Sequence, residues 1–153
     1  MYVIEKRSGA ICDVDFSKLD YIELDLFVKD DFIFDWNEEV SFEVYRLTLA
    51  QNGKTLGLIS IEMMESEYRI HIRLLSASSD NIGRNKEYDR IVGCMISQVG
   101  MIAIQKFGEL ACVSLRPKSV LTKHYIQKYR MKITGQLLSI EVPDLIDLIN
   151  EYE

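Results

Sequence analysis

The stretch HYIQKYRM, residues 124–131, combines two tyrosines with a histidine and basic side chains. A tyrosine hydroxyl in such a setting can present a proton to a leaving group at the end of a reaction. The pattern is equally typical of an ordinary helix, in which Tyr125 is an amphipathic core residue with its hydroxyl at the rim. Both interpretations depend on which elements position Tyr125.

Other side chains that could move protons lie on predicted strands, namely Glu62 and His71. The chain has only two histidines, which are far apart in sequence, and no acidic pair, so the sequence predicts no metal site. Cys112 and Ser114 belong to a predicted strand. A nucleophile elbow needs the turn between a strand and a helix, so neither residue is a candidate nucleophile.

Composition bounds the class of protein. A chain of 153 residues suits a single domain, 1–153, and a net charge of −6 argues against broad binding of nucleic acid. The three cysteines are widely spaced and form no Cys-x-x-Cys pair, which favours reduced thiols. The N-terminus lacks the apolar core of a signal peptide, and no run approaches the ~20 apolar residues of a membrane span. We therefore expect a cytoplasmic protein without nucleic-acid or membrane partners.

The N-terminal half reads as strands around one ambiguous segment. MYVIEKR predicts a short strand, and residues 14–32 are interpreted as a helix. Residues 21–28 of that segment also have apolar side chains at alternate positions, as a strand would. FEVYRLTLA and TLGLISIEM flank Asn52-Gly53, which predicts a hairpin with a type I′ turn and positive φ at both turn residues. YRIHIRLLSA predicts a third strand, with Ile70, Ile72 and Leu74 on one face.

The C-terminal half alternates helices and strands. After a loop at SSDNIGRNKE, apolar residues recur at helical spacing over residues 88–107, and Gly108 ends that helix. Gly93 and Gly100 favour close packing against the sheet over the alternative, a contact with a ligand. ELACVSLRP is a buried strand, SVLTKHYIQKYRM a helix, GQLLSIEV a strand and PDLIDLINEYE a terminal helix. The order predicts an α/β (α+β) fold, with a mixed, mainly antiparallel sheet flanked by helices.

This order resembles the GNAT acyltransferase fold. More narrowly, it resembles GNAT-like proteins of bacteria and phages. The matching pieces are a GLISIE strand, an N-x-G…K-x-Y loop, a PK-S-x-L turn and an HY-x-x-K-Y helix. The likeness covers roughly residues 42–153, and the first 40 residues match only loosely. The resemblance implies that the strand at 69–77 lies beside the one at 110–116, parallel to it and splayed apart near its end.

The resemblance implies acetyl-CoA as co-substrate. Backbone groups near Leu75 and Ala77 would hold the thioester, and the loop before the long helix would bind the diphosphate at the helix N-terminus. That assigns cofactor binding to Gly83, Arg84, Lys86, Tyr88 and Arg90. The family's small residues fall on Arg90 and Val92 here, and both are large. A solvated loop with Asp80 or Asn85 as helix cap is the alternative.

The resemblance also implies roles in catalysis. Tyr125 matches the tyrosine that protonates the departing thiolate, and Glu62 and His71 are the candidates for a general base. Glu62 is alternatively a cross-strand ion-pair partner of Arg69 or Arg73. The expected function is N-acetyltransfer from acetyl-CoA to an amine on a small molecule or a protein, with a homodimer as a further expectation. The alternative is a non-catalytic GNAT-like module that binds a protein partner.

Overall fold

The computed structural model describes residues 1–20, 32 and 36–153. Within these residues, nine strands form one sheet, accompanied by three α-helices. The strands are β1 (Tyr2–Glu5), β2 (Ile11–Lys18), β3 (Glu43–Leu49), β4 (Thr55–Met64), β5 (Arg69–Ala77), β6 (Tyr88–Asp89), β7 (Cys112–Leu115), β8 (Lys132–Thr134) and β9 (Leu137–Glu141). The helices are α1 (Ile91–Phe107), α2 (Thr122–Tyr129) and α3 (Asp144–Tyr152). This is the mixed, mainly antiparallel architecture that the sequence predicted.

The strand order across the sheet is β6-β1-β2-β3-β4-β5-β7-β9-β8. Neighbouring strands are antiparallel except β5 and β7, which run parallel from Arg69 opposite Cys112 to Ile72 opposite Leu115. Beyond that point β5 continues to Ala77, whereas β7 ends. The two strands are therefore parallel neighbours that part near their ends, which confirms the expectation for them.

Helix α1 fills the core because its apolar side chains recur three and four residues apart. Met95, Ile96, Val99 and Ala103 are fully buried in the cluster that the helix shares with the strands. The segment Ile91–Leu110 is also long and apolar enough to span a membrane by length and composition, which the sequence argument overlooked. Half of its most apolar window is buried inside the protein, and its apolarity is that of a core helix.

Two glycines of α1 make room for α3. A Cβ built on Gly93 would lie 2.0 Å from the Tyr152 ring, and one on Gly100 would lie 2.7 Å from a methyl carbon of Leu145. Close packing at these glycines was predicted, but against the sheet. The partner is instead the terminal helix, because α3 folds back along α1.

A β-bulge interrupts the pairing of β4 with β5. Ile72 and Leu74 face adjacent residues of β4, so Arg73 between them has no partner. The extra residue turns Leu74 away from the α1 cluster and into a second buried cluster. That cluster comprises Leu19, Phe32, Trp36, Val44 and Leu58. The prediction that Leu74 shares a face with Ile70 and Ile72 is wrong, because a bulge shifts the alternation of side chains by one residue.

Three predictions about the N-terminal half need correction. Residues 14–18 belong to β2 and not to a helix, and most of the remaining segment, 21–31, lies outside the described residues. The turn between β3 and β4 has positive φ at Gly53 alone, so it is not type I′. Strand β6 was missed because two residues are too few to show a period of two.

The C-terminal half of the structure differs from the sequence prediction in two places. α1 begins at Ile91 and not at Tyr88, because Tyr88 and Asp89 pair with β1. Strand β8 was missed because its three residues are all exposed and carry no alternation in burial. It forms a hairpin with β9 around Gly135, which has a φ of 63°.

Candidate active site

The parting of β5 and β7 opens a cleft with a cavity volume of about 490 Å³. One wall is formed by residues 72–77 of β5, and the other by Leu115, Arg116 and Pro117 at the end of β7. Past Ile72, no strand among the described residues pairs with β5 on the β7 side. Backbone N–H and C=O groups along such an edge can bind an extended ligand that contains amides.

The N-terminus of α1 opens at the same cleft, where the side chain of Val92 lines the cavity. The first N–H group bonded within the helix is that of Cys94, which donates to the carbonyl of Arg90 at 2.9 Å. The N–H groups of residues 91–93 therefore have no intrahelical acceptor. The side chain of the cap residue, Arg90, makes no capping hydrogen bond, and the first turn of the helix contains no acidic residue. A helix N-terminus of this kind favours an anionic group.

Tyr125 projects from α2 into the cleft. Its ring lies 5.5 Å from the Tyr129 ring and 6.1 Å from that of His124, measured between centroids. No residue that the structure describes forms a hydrogen bond with its hydroxyl, and burial raises the pKa of Tyr125. The hydroxyl therefore stays protonated at neutral pH, and the residue that carries it lines the cavity.

Solved structures of acetyltransferases share the overall fold of this chain. Nourseothricin acetyltransferase superposes with a TM-score of 0.60 at 10% identity, covering 85% of this chain and 99% of that one. The ribosomal-protein-S18-alanine N-acetyltransferase of Escherichia coli gives 0.58 at 11% identity, covering 85% and 94%. A putative streptothricin acetyltransferase of Bacillus anthracis str. Ames, in complex with acetyl coenzyme A, gives 0.57 at 13%, covering 84% and 95%.

The chain has the GNAT fold. The sequence matches no protein-family model and no curated protein, and the identity to these structures is low, so the likeness is one of fold. In the GNAT fold of this chain, Leu75 and Ala77 line the cleft. Tyr125 does so as well, opposite the unpaired edge of β5.

The loop before α1 is held by a residue that the sequence argument missed. Asn81 is buried and lines the cavity. Its side-chain amide donates to the Ser78 hydroxyl at 2.9 Å, and its side-chain oxygen accepts the backbone N–H of Tyr88 at 2.8 Å. An asparagine between a strand and a helix was the available signal, but the predicted caps were Asp80 and Asn85. Neither caps α1, because the helix starts at Ile91.

The candidate phosphate-binding residues of the loop lie in different settings. Gly83 has a left-handed φ of 79°, and Arg84 is exposed. Lys86 forms an ion pair with Asp89 at 2.6 Å. Tyr88 belongs to β6, where its backbone pairs with β1. None of these four lines the cavity, which the loop reaches through Asn81 and Ile82.

Arg90 was expected to offer its charge to phosphates, and the structure corrects this. Its Nε donates to the carbonyl of Tyr2 at 3.2 Å, and Nη2 donates to the carbonyl of Glu151 at 3.1 Å. The guanidinium also lies over the rings of Tyr2 and Tyr152, at 4.1 and 4.8 Å from their centroids. The side chain is therefore engaged with β1 and α3 and does not line the cleft.

The two candidate bases do not reach the cleft lining. Glu62 and His71 are cross-strand partners on β4 and β5. The Nδ1 of His71 lies 2.9 Å from the Ser114 hydroxyl, and burial, followed by the charge of Arg69, lowers the pKa of His71. Glu62 lies 3.8 Å from Arg73, so the alternative reading of Glu62 as an ion-pair partner is confirmed for Arg73.

Sequence reasoning also missed the contacts of Arg73, the bulge residue that lines the cleft. Its Nε donates to Glu39 at 2.9 Å, and its guanidinium lies 3.7 Å from the centroid of the Phe42 ring. The carboxylate of Glu39 also accepts the Ser60 hydroxyl at 2.8 Å and is only 4% exposed. Local sequence pattern did not indicate these contacts, since spacing alone does not reveal a bulge.

Proposed function

We propose that the protein is an acetyl-CoA-dependent N-acetyltransferase that transfers an acetyl group to an amine by direct attack. One observation carries the proposal. The unpaired edge of β5, the uncapped N-terminus of α1 and the hydroxyl of Tyr125 all meet at one cleft between parted parallel strands. The acetyltransferases that share the fold support the reaction class.

Each wall of the cleft has a role in this proposal. Acetyl-CoA supplies a thioester, whose acyl carbon an amine attacks and whose thiolate then leaves. The backbone edge near Leu75 and Ala77 binds the amide-containing arm, and the N–H groups of residues 91–93 bind the diphosphate. Tyr125 donates its proton to the departing sulfur.

The acceptor must lose a proton before or during its attack. Among the described residues, the cleft lining contains neither a carboxylate nor an imidazole. The base therefore comes from outside this lining. The acceptor class that we propose is an amine carried by a small molecule or a protein.

One observation favours the second candidate, a GNAT-like module that binds a protein partner without catalysis. Val92 presents a branched side chain to the cleft, where the family has a small residue that lets phosphates approach the backbone. Arg90, at the other small position, adopts a φ of 82°, which glycine reaches without strain. Large side chains at both positions would keep a diphosphate away from the backbone, and this exclusion is the physical basis of the non-catalytic alternative.

Calorimetric titration with acetyl-CoA and with CoA separates the two candidates. We expect micromolar binding of acetyl-CoA, with ADP as the control for non-specific nucleotide binding. At a hundredfold excess over Kd, the ligand should raise the free energy of unfolding by about 2.7 kcal/mol, which a melting curve detects. No heat and no shift in Tm at millimolar acetyl-CoA would reject the acetyltransferase and support the module.

A further inference from the structure

Arg90 joins three parts of the chain at the start of α1. It is the residue at the N-terminal cap of the helix, and its side chain donates to a carbonyl of β1 and to a carbonyl in the last turn of α3. The carbonyl of Tyr2 accepts from the Cys94 thiol as well, at 3.3 Å, one turn further along α1. The carbonyl of Glu151 is among the last of α3 and has no intrahelical donor. Arg90 therefore satisfies the end of one helix while fixing the start of another.

The backbone of Arg90 makes these contacts despite an unfavourable conformation. Its φ of 82° lies in the left-handed region, where a side chain is strained and glycine is not. Strained residues persist when surrounding contacts determine their position. The two hydrogen bonds and the two ring contacts of the guanidinium are such contacts.

We propose that Arg90 is a positioning residue for the diphosphate site. By tying the cap residue of α1 to β1 and α3, it sets the direction in which the N–H groups of residues 91–93 face the cleft. Its side chain binds no phosphate itself. The proposal rests on the proposed function, since it concerns the binding of acetyl-CoA at that helix end.

The decisive variant is Arg90→Gly, which relieves the left-handed strain and removes all four side-chain contacts. A glycine that simply suits the site would leave the binding of acetyl-CoA unchanged or strengthen it. We expect instead that Kd for acetyl-CoA, measured by calorimetry, rises at least tenfold. Binding of S-acetylpantetheine, which has the same thioester arm but no diphosphate, should stay within about twofold.

Arg130→Gly is the matched control. Arg130 also has a left-handed φ, of 59°, and also contacts Glu151, through an ion pair at 3.2 Å. Its replacement relieves comparable strain and removes one positive charge without touching α1, so Kd should change less than twofold. Arg90→Lys keeps the charge but lacks the planar fork that donates in two directions. It should bind acetyl-CoA more weakly than the wild-type protein and more tightly than Arg90→Gly.

The outcomes are distinct. If the wild-type protein fails to bind acetyl-CoA, the proposed function fails, and this inference with it. If the wild-type protein binds and Arg90→Gly binds as well or better, only the inference fails. Equal losses for acetyl-CoA and S-acetylpantetheine would show a general loosening of the fold and overturn it. Wild-type affinity for acetyl-CoA in Arg90→Lys would also overturn the inference, since positive charge alone would then account for the effect. Should Arg90→Gly not fold, the Arg90→Lys comparison still decides.

Discussion

At the scale of single residues, Tyr125 has the properties of a proton donor. Burial raises its pKa, the residue lines the cleft, and its ring lies against those of Tyr129 and His124. If it protonates the leaving thiolate, Tyr125→Phe should lower turnover by about 10²- to 10⁴-fold while Kd for CoA stays within a few-fold. Turnover, CoA affinity and Tm are measured on the same variant. Unchanged turnover, with a Tm close to that of the wild-type protein, would make Tyr125 a packing residue, since no described residue bonds to its hydroxyl.

The ion pair between Arg73 and Glu39 gives a second prediction at this scale. Arg73→Met leaves the buried carboxylate of Glu39 without its cation, so we expect a loss of about 1–3 kcal/mol in the free energy of unfolding, measured in urea. The double variant Arg73→Met/Glu39→Gln should recover part of that loss, because no charge is then left unpaired. Lys18→Met, which breaks an exposed pair with Glu43, is the control and should cost less than about 1 kcal/mol. Strictly additive losses would contradict the coupling.

At the scale of elements, the contact between α1 and α3 holds the terminal helix over the start of α1. Gly93→Ala should destabilise the protein by about 1–3 kcal/mol, because the added methyl group meets the Tyr152 ring and outweighs the gain in helix propensity. Tyr152→Leu makes room for that methyl group. The cost of Gly93→Ala should therefore fall by about 1 kcal/mol or more in the Tyr152→Leu background, as measured by chemical denaturation. The same cost in both backgrounds would place the clash elsewhere.

At the scale of the whole molecule, the two histidines predict how stability depends on pH. Burial is the first cause that lowers the pKa of both His71 and His124 below the ordinary value of 6.5. The unfolded chain then binds more protons than the folded protein just below pH 6.5. Stability is therefore fully present above that pH and is lost as the pH falls through the folded-state pKa values. Asp89, whose pKa a hydrogen bond from Lys86 lowers from 3.8, contributes only in more acidic solution.

We expect Tm to be lower at pH 5.5 than at pH 7.5, and the double variant His71→Gln/His124→Gln to lose most of that difference. Glutamine retains a polar group that can bond to the Ser114 hydroxyl but does not titrate. A difference in Tm that persists in the double variant would assign the pH dependence to other groups.

The local elements were largely predictable from the sequence. The spacing of apolar residues in α1 and the alternation in β5 as far as Ile72 are properties of neighbouring residues, and each reports which face is buried. The parallel pairing of β5 with β7 is a long-range contact, which local pattern does not specify. It came from the resemblance to the GNAT order of elements, and the structure confirmed it. Residues Leu75, Ala77 and Tyr125 were placed on the cleft by the same route.

Tertiary structure alone decided where the polar side chains of the site go. The sequence gives Arg90 the charge to bind phosphate, but the docking of β1 and α3 turns its guanidinium away from the cleft. Glu39 and Arg73 are far apart in sequence, but the bulge at Arg73 brings them together in an ion pair whose carboxylate is buried. Periodicity determines which face of an element is apolar. The direction of a long charged side chain depends on donors and acceptors that are distant in sequence, and only the folded chain brings them within hydrogen-bonding distance.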